Sequence, residues 1–217
     1  MTSTGPEKLI WDEWRRITRF IESSRIAFSR EELIWYSLEV SNKKEITLST
    51  KLGGKVYAIA LEQHLLGIQD HQVLFSTVLL ASYALVESFA RLKLGLSDND
   101  QLAGGIEAWG AQILAATGHG WSNVMDGLSG IVEVSVLRNA FAHGVKNASQ
   151  SMVNRFLGQS LTPPWAVGDK MVLTYEKIDR LRSRLKSLMR FSGNLKRSIA
   201  PPAARTIRVR PSRSSAP

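Results

Sequence analysis

The chain has 217 residues, 44% of them hydrophobic, which suffices for one domain with extensions or for two small domains. It contains no cysteine, so disulfide bonds and thiolate metal sites are excluded, and a reducing compartment is favoured. Its 28 Lys and Arg residues exceed its 19 Asp and Glu residues, giving a net charge of +9 at pH 7.

Two further features bear on where the protein works. The N-terminus lacks the basic start and apolar run of a secretory signal. The longest uncharged apolar run, residues 73–86, has 14 residues, whereas a membrane span needs roughly 18 or more. We therefore predict a cytoplasmic protein that does not associate with membranes.

Residues 1–69 are predicted to form an N-terminal helical extension. Ile10, Trp14 and Ile17 recur at helical spacing, and the sequence SREE at 29–32 matches a capping box. A second helix is therefore predicted over residues 30–39. The segments on either side of Gly53-Gly54 are predicted to form a short β-hairpin; a loop leading into a helix from Val56 is the alternative.

Residues 70–191 are predicted to form a helical bundle, so the fold class is all-α or mostly α. Asp70 is the expected N-cap of a long apolar helix over residues 71–94. A third helix is predicted over residues 102–116. Residues 145–173 read as irregular apart from a short strand at KMVLTY, and Thr174 is expected to cap the last helix.

The fourth core helix of this bundle carries the candidate site. It reads IVEVSVLRNAFAHG over residues 131–144, and its apolar run ends in Arg138, Asn139 and His143. In a helix, Asn139 and His143 share a face, and Arg138 lies one step round. Imidazole can take and give a proton near neutral pH, and guanidinium binds phosphate oxygens. This set therefore suits attack on a phosphodiester, for which RNA supplies its own 2′-hydroxyl nucleophile.

The sequence RNAFAH over residues 138–143 resembles the Arg-x4-6-His signature of the HEPN domain family, including the polar residue after the arginine. The long apolar helix with Glu87 upstream fits as well, so the resemblance covers about residues 70–191. It implies a four- or five-helix bundle, usually dimeric. Many members are metal-independent ribonucleases of toxin–antitoxin, abortive-infection or CRISPR systems.

The resemblance also implies roles for single residues. Two copies of the motif would meet across a homodimer to form one active site without metal or cofactor. His143 would act as acid or base, Arg138 would stabilise the charged phosphorane, and Asn139 would orient its partners. Glu87 would support Arg138, although a surface pair with Arg91 explains it equally well.

The C-terminal end is the basic part of the chain. Residues 177–217 hold 12 Lys or Arg and one acid, whereas the remainder has a net charge of −2. We expect a disordered basic tail over residues 192–217, because its apolar residues are sparse. A solubilising tail is one interpretation; a salt-dependent contact with RNA is the other. The basic residues assigned to RNA are Arg182, Lys186, Arg190, Lys196 and Arg197.

Two other functions fit the same residues. The first is a non-catalytic module that binds RNA or drives assembly, or the toxin partner of a nucleotidyltransferase antitoxin. The second is a structural protein in which Arg138 and His143 only satisfy the end of their helix. The main hypothesis is a homodimeric RNA endonuclease, a toxin or phage-defence effector.

Overall fold

The computed structural model describes residues 5–38, 41–97 and 100–193. These residues form a mostly α-helical fold with one small antiparallel sheet, which confirms the predicted fold class and the hairpin. The helices are α1 Pro6–Ser37, α2 Leu61–Gln69, α3 His71–Leu94, α4 Ile106–Ala115, α5 Gly127–Ala142, α6 Gln150–Leu157 and α7 Tyr175–Ser192. The strands are β1 Thr47–Leu52 and β2 Lys55–Ala60.

Helix α3 is the centre of the bundle, and α1, α4, α5 and α7 pack around it. The Asp70 side chain accepts a hydrogen bond from the Gln72 amide, and Gly95 ends the helix with φ 67°, as predicted. By length and composition α3 is also apolar enough to cross a membrane, with a mean hydropathy of 1.7 in its most apolar stretch. Half of that stretch is buried against other helices.

Helix α1 is continuous, so the predicted break before residue 30 is wrong. Ser29, which was expected to cap a new helix, lies inside α1. No glycine or proline stands between residues 22 and 28, so nothing in that stretch ends the helix. Trp14 and Ile21, on the first half of α1, belong to the same core as α3 and α7. The first part of the predicted extension therefore packs directly onto the bundle.

The second half of α1 packs instead on a separate small cluster formed with α2. Leu61, Leu65 and Ile68 are its buried residues, and Phe28 and Trp35 pack against them. The β-hairpin turns at Gly53-Gly54 and leaves most side chains of both faces exposed. This end of the molecule thus has little buried surface of its own.

Three boundaries in the second half of the chain differ from the predictions. Helix α4 begins at Ile106 and not at residue 102, because Gly104 and Gly105 precede it. Helix α6 lies within the segment predicted to be irregular, and the Ser149 hydroxyl caps it. The predicted strand at KMVLTY is absent from the described residues, where a single bridge joins Asn147 to Lys170.

Thr174 is the N-cap of helix α7, as predicted. The basic residues of this helix do not all face solvent. Arg184 is buried and donates hydrogen bonds to Glu133 at 2.5 Å and to Asp126 at 2.7 Å. Lys177 also binds Glu133, and the exposed Arg180 binds Asp126. This network of charges joins α7 to α5. The burial of the Glu133 carboxylate is offset by its two cationic partners.

The network makes stability depend on pH through Asp126. Hydrogen bonds from Arg180, and then from Arg184, lower the Asp126 pKa from 3.8 to about 2. A lowered folded-state pKa contributes stability that is complete above the unfolded pKa and is lost as pH falls through about 2. In wild type, the free energy of unfolding should fall as the pH is lowered below about 4. We expect this fall to be smaller in Asp126→Asn, because the variant has no carboxyl group to protonate at residue 126. Urea titrations from neutral to acid pH measure this, and a curve as steep as that of wild type contradicts it. The exposed Asp179→Asn is the control.

Candidate functional site

The candidate site lies at the C-terminal end of α5. The His143 amide donates to the carbonyl oxygens of Asn139 and Ala140, both at 3.2 Å, so the helical geometry extends to His143. Gly144 follows with φ 67°, the left-handed conformation expected of a glycine past a helix end. The His143 side chain is exposed. Within the described part of the chain it makes no hydrogen bond, ion pair or ring contact.

Arg138 is half-buried, and its two contacts come from neighbouring side chains. Its Nη1 donates to Asn139 Oδ1 at 2.8 Å, and its guanidinium carbon lies 5.0 Å from the centroid of the Tyr83 ring on α3. No carboxylate among residues 5–38, 41–97 and 100–193 pairs with it. A guanidinium group carries five N–H donors. The fork of Arg138 is therefore held in place with most of its donors unused.

Two arginines of α6 and α7, Arg155 and Arg184, are engaged differently. Arg155 binds Glu107, and Arg184 binds Asp126 and Glu133. These cations are committed to structural carboxylates. Arg138 has no such partner in the described structure, so it remains able to bind an external anion.

Glu87 does not contact Arg138. It is half-buried on α3, one turn after Tyr83, and no described hydrogen bond or ion pair joins it to the arginine. The alternative pair with Arg91 is not formed either, since Arg91 Nε donates to the Asp100 carbonyl at 3.2 Å. Burial raises the Tyr83 pKa above its ordinary value, and the charge of Glu87 raises it further. Glu87 therefore influences the site through its charge and not through a contact with Arg138.

Sequence analysis missed a polar group beneath the site. Ser135 is buried one turn before Arg138 and accepts a hydrogen bond from Arg155 Nη2 at 2.9 Å. Arg155 is also bound to Glu107 at 2.7 Å. The Ser135 hydroxyl interacts with the Tyr83 phenol, which lowers the Tyr83 pKa against the effect of burial. A serine within the apolar run VEVSVL was the available signal, whereas Arg155 lay in a segment read as irregular.

The basic residues assigned to RNA divide into four groups. Arg182 is 6% exposed, which corrects its assignment: it donates to Ser82 Oγ at 3.0 Å and to Thr18 Oγ1 at 2.8 Å. Lys186 is half-buried, and burial, then Arg190 and Arg182, lower its pKa. Arg190 is exposed. Residues 194–217 of the predicted tail lie outside the described residues, and Lys196 and Arg197 are among them.

An exposed stripe of α3 borders the site. It consists of Val73, Thr77, Leu80 and Ala84, which recur at steps of four and three and therefore share a face. Val73, Thr77 and Ala84 are exposed and Leu80 is half-buried. Tyr83, which contacts Arg138, adjoins this stripe in the helix. One end of this partly apolar surface thus lies beside the residue that contacts the Arg138 guanidinium.

Comparisons of the chain with protein-family models, with curated proteins and with solved structures found no match. Among the described residues, no group of three or more His, Asp or Glu side chains is placed to hold a metal ion.

Proposed function

We propose that this protein is a metal-independent RNA endonuclease that acts as a homodimer. One observation carries this assignment: an exposed imidazole stands one helical turn from Asn139, which itself holds an arginine that has no carboxylate partner in the described structure. An imidazole to move protons and a guanidinium to bind phosphate are what phosphodiester cleavage requires. The resemblance of residues 138–143 to the HEPN signature supports the same chemistry.

In the proposed reaction, the RNA 2′-oxygen attacks the adjacent phosphorus and the bond from phosphorus to the 5′-oxygen breaks. The His143 side chain of one copy takes the proton of the 2′-hydroxyl, and that of the other copy gives a proton to the departing 5′-oxygen. The Arg138 fork stabilises the charge on the non-bridging oxygens. The products are a 2′,3′-cyclic phosphate and a free 5′-hydroxyl. The step consumes no metal, cofactor or water.

A second copy is required because this mechanism uses two imidazoles and each chain has one copy of the motif. The α3 stripe, defined by Val73, Thr77, Leu80 and Ala84, is the surface on which we place that copy. A helix that is apolar on most faces is normally buried on most faces, yet half of the most apolar stretch of α3 is not buried. Because the stripe adjoins Tyr83, which contacts Arg138, a partner packed there would bring the two motifs near each other.

We expect Val73→Glu to dissociate the homodimer. It places a charge on the α3 stripe, where a partner would have to bury it, and a carboxylate in the first turn of a helix does not oppose folding. Val56→Glu on the hairpin is the matched control, because both valines are 68% exposed. Light scattering should give the monomer mass for Val73→Glu and the dimer mass for the control. Equal masses for the two variants would contradict this interface.

The biological role that we propose is that of a toxin or phage-defence effector, on the HEPN resemblance alone. Such a protein would damage its own cell unless a partner, such as an antitoxin protein, held it inactive. The exposed Arg190 and the half-buried Lys186 on α7 would add attraction to the RNA backbone. That contribution should weaken as salt is raised.

The direct test is incubation of the purified full-length protein with single-stranded RNA in the presence of EDTA. We expect cutting under these conditions, with fragments that end in 2′,3′-cyclic phosphates. An RNA with one 2′-deoxy residue at the cut position should resist cleavage there, because the nucleophile is missing. RNA that is bound and never cut would overturn the nuclease and leave the non-catalytic RNA-binding module. Cutting that needs a divalent metal would also overturn the mechanism.

A further inference from the structure

Tyr83 contacts Arg138 and is linked through Ser135 to polar side chains of α4 and α6. It is 5% exposed on α3, and one face of its ring lies under the Arg138 guanidinium, 5.0 Å from centroid to carbon. Arg138 comes from α5, so this contact joins the candidate site to the central helix. Among the described residues, Asn139 makes the other contact of this guanidinium, and it is the adjacent residue in the chain.

We propose, on the basis of the proposed function, that Tyr83 is a positioning residue that fixes the Arg138 guanidinium for phosphate binding. A positive group is attracted to the face of an aromatic ring, and a guanidinium can lie flat on it. In this proposal the ring covers one face of the guanidinium plane. The N–H groups point outward along the edges of that plane, so they stay free for phosphate oxygens.

Polar side chains also lie near the Tyr83 phenol. The Ser135 hydroxyl interacts with the phenol and accepts a hydrogen bond from Arg155 Nη2 at 2.9 Å. Glu107 fixes Arg155 through its Oε1, at 3.0 Å from Nε and 2.7 Å from Nη2. A chain of contacts thus runs from Glu107 on α4 through Arg155 on α6 to Ser135 on α5, next to the Tyr83 phenol. Buried polar groups that are satisfied in this way rigidify their surroundings.

Asn139 alone would not fix the arginine. Its Oδ1 takes one N–H of the fork at 2.8 Å, and a single hydrogen bond leaves the guanidinium free to rotate about it. The Tyr83 ring defines the plane of the group, and Asn139 defines its direction within that plane. Together they give the preorganisation that phosphate binding in a transition state needs.

The test compares Tyr83→Leu, which removes the ring, with Tyr83→Phe, which keeps it. We expect Tyr83→Leu to lower kcat for RNA cleavage about 10-fold to 100-fold with little change in KM, as misplacement of a catalytic group does. Tyr83→Phe should retain most activity. Phe75→Leu is the matched control, because Phe75 is a buried aromatic residue two turns upstream on α3 that contacts His71 and Tyr175. It should lower Tm and leave kcat unchanged.

A second readout reports on Arg138 without RNA. The ring current of Tyr83 should shift the δ-methylene signals of Arg138 in NMR spectra, and the shift should vanish in Tyr83→Leu and persist in Tyr83→Phe. If the shift behaves so but wild type does not cut RNA, the nuclease assignment fails and the positioning contact stands. If wild type cuts and Tyr83→Leu cuts equally fast, the positioning role is overturned. In the Arg138→Ala background, Tyr83→Leu should cause no further loss, because both changes act through one group.

Discussion

Replacement of His143 by alanine should lower the rate of RNA cleavage by at least about 100-fold, the lower bound of what a positioned acid–base group contributes. The fold should not change. The side chain is exposed and has no described partner, so its removal breaks no contact and opens no cavity. Cleavage of a labelled single-stranded RNA in EDTA measures the rate, and thermal unfolding shows that Tm is unaltered.

His119→Ala is the control for this experiment. His119 is also exposed, but it lies in the loop after α4 and its ring contacts Phe191. We expect its removal to leave cleavage unchanged. A His143→Ala protein that cuts as fast as wild type would remove the basis of the nuclease assignment.

The same variant tests whether two copies share one site. When equal amounts of wild type and His143→Ala exchange subunits at random, about one quarter of the dimers are purely wild type. If both copies build each site, the mixture should have about one quarter of the activity of pure wild type at the same total protein concentration. If each copy has an independent site, the mixture should have about one half of that activity. Activity that follows simple dilution would contradict the composite site.

Replacement of Arg184 by alanine should lower the free energy of unfolding by about 3–5 kcal/mol, the typical cost of breaking a buried ion pair from one side. The Arg184 side chain is 6% exposed and lies 2.5 Å from a Glu133 oxygen whose own side chain is 7% exposed. Without the arginine, Glu133 keeps Lys177 and loses the partner that is buried with it. Urea unfolding at neutral pH measures the loss.

Arg180→Ala is the matched control. Arg180 binds the same carboxylate, Asp126, but its side chain is 57% exposed. Exposed ion pairs contribute about 0–1 kcal/mol, so this variant should remain close to wild type. Losses of equal size in the two variants would show that burial does not set the strength of these pairs.

Half-buried and buried arginines of the described structure therefore have two different roles. Arg184 and Arg182 are enclosed by acceptors from other helices, and their removal should cost stability. Arg138 is held by a ring and an amide oxygen, and its removal should cost activity. The acceptors around each guanidinium, and not the residue type, separate the two roles.

Local features of the sequence were sufficient for much of the architecture. Asp70 and Gly95 bound α3, Gly53-Gly54 turns the hairpin, and Gly144 follows the end of α5, as predicted. Each of these signals acts within a few residues along the chain. The spacing of Asn139 and His143 was predictable for the same reason, because a continuous helix sets it.

Tertiary structure alone decided which polar groups meet. Arg182, Arg184 and Arg190 belong to the same series of basic residues on α7. The first two are buried, and their hydrogen-bond acceptors lie on α1, α3 and α5. The contact between Tyr83 and Arg138 likewise spans two helices far apart in the chain. A sequence pattern records spacing along one element, whereas burial and pairing depend on the neighbours that packing brings to it. The sequence alone predicted that the motif lies at a helix end. Only the tertiary structure showed that no carboxylate of the described residues pairs with Arg138.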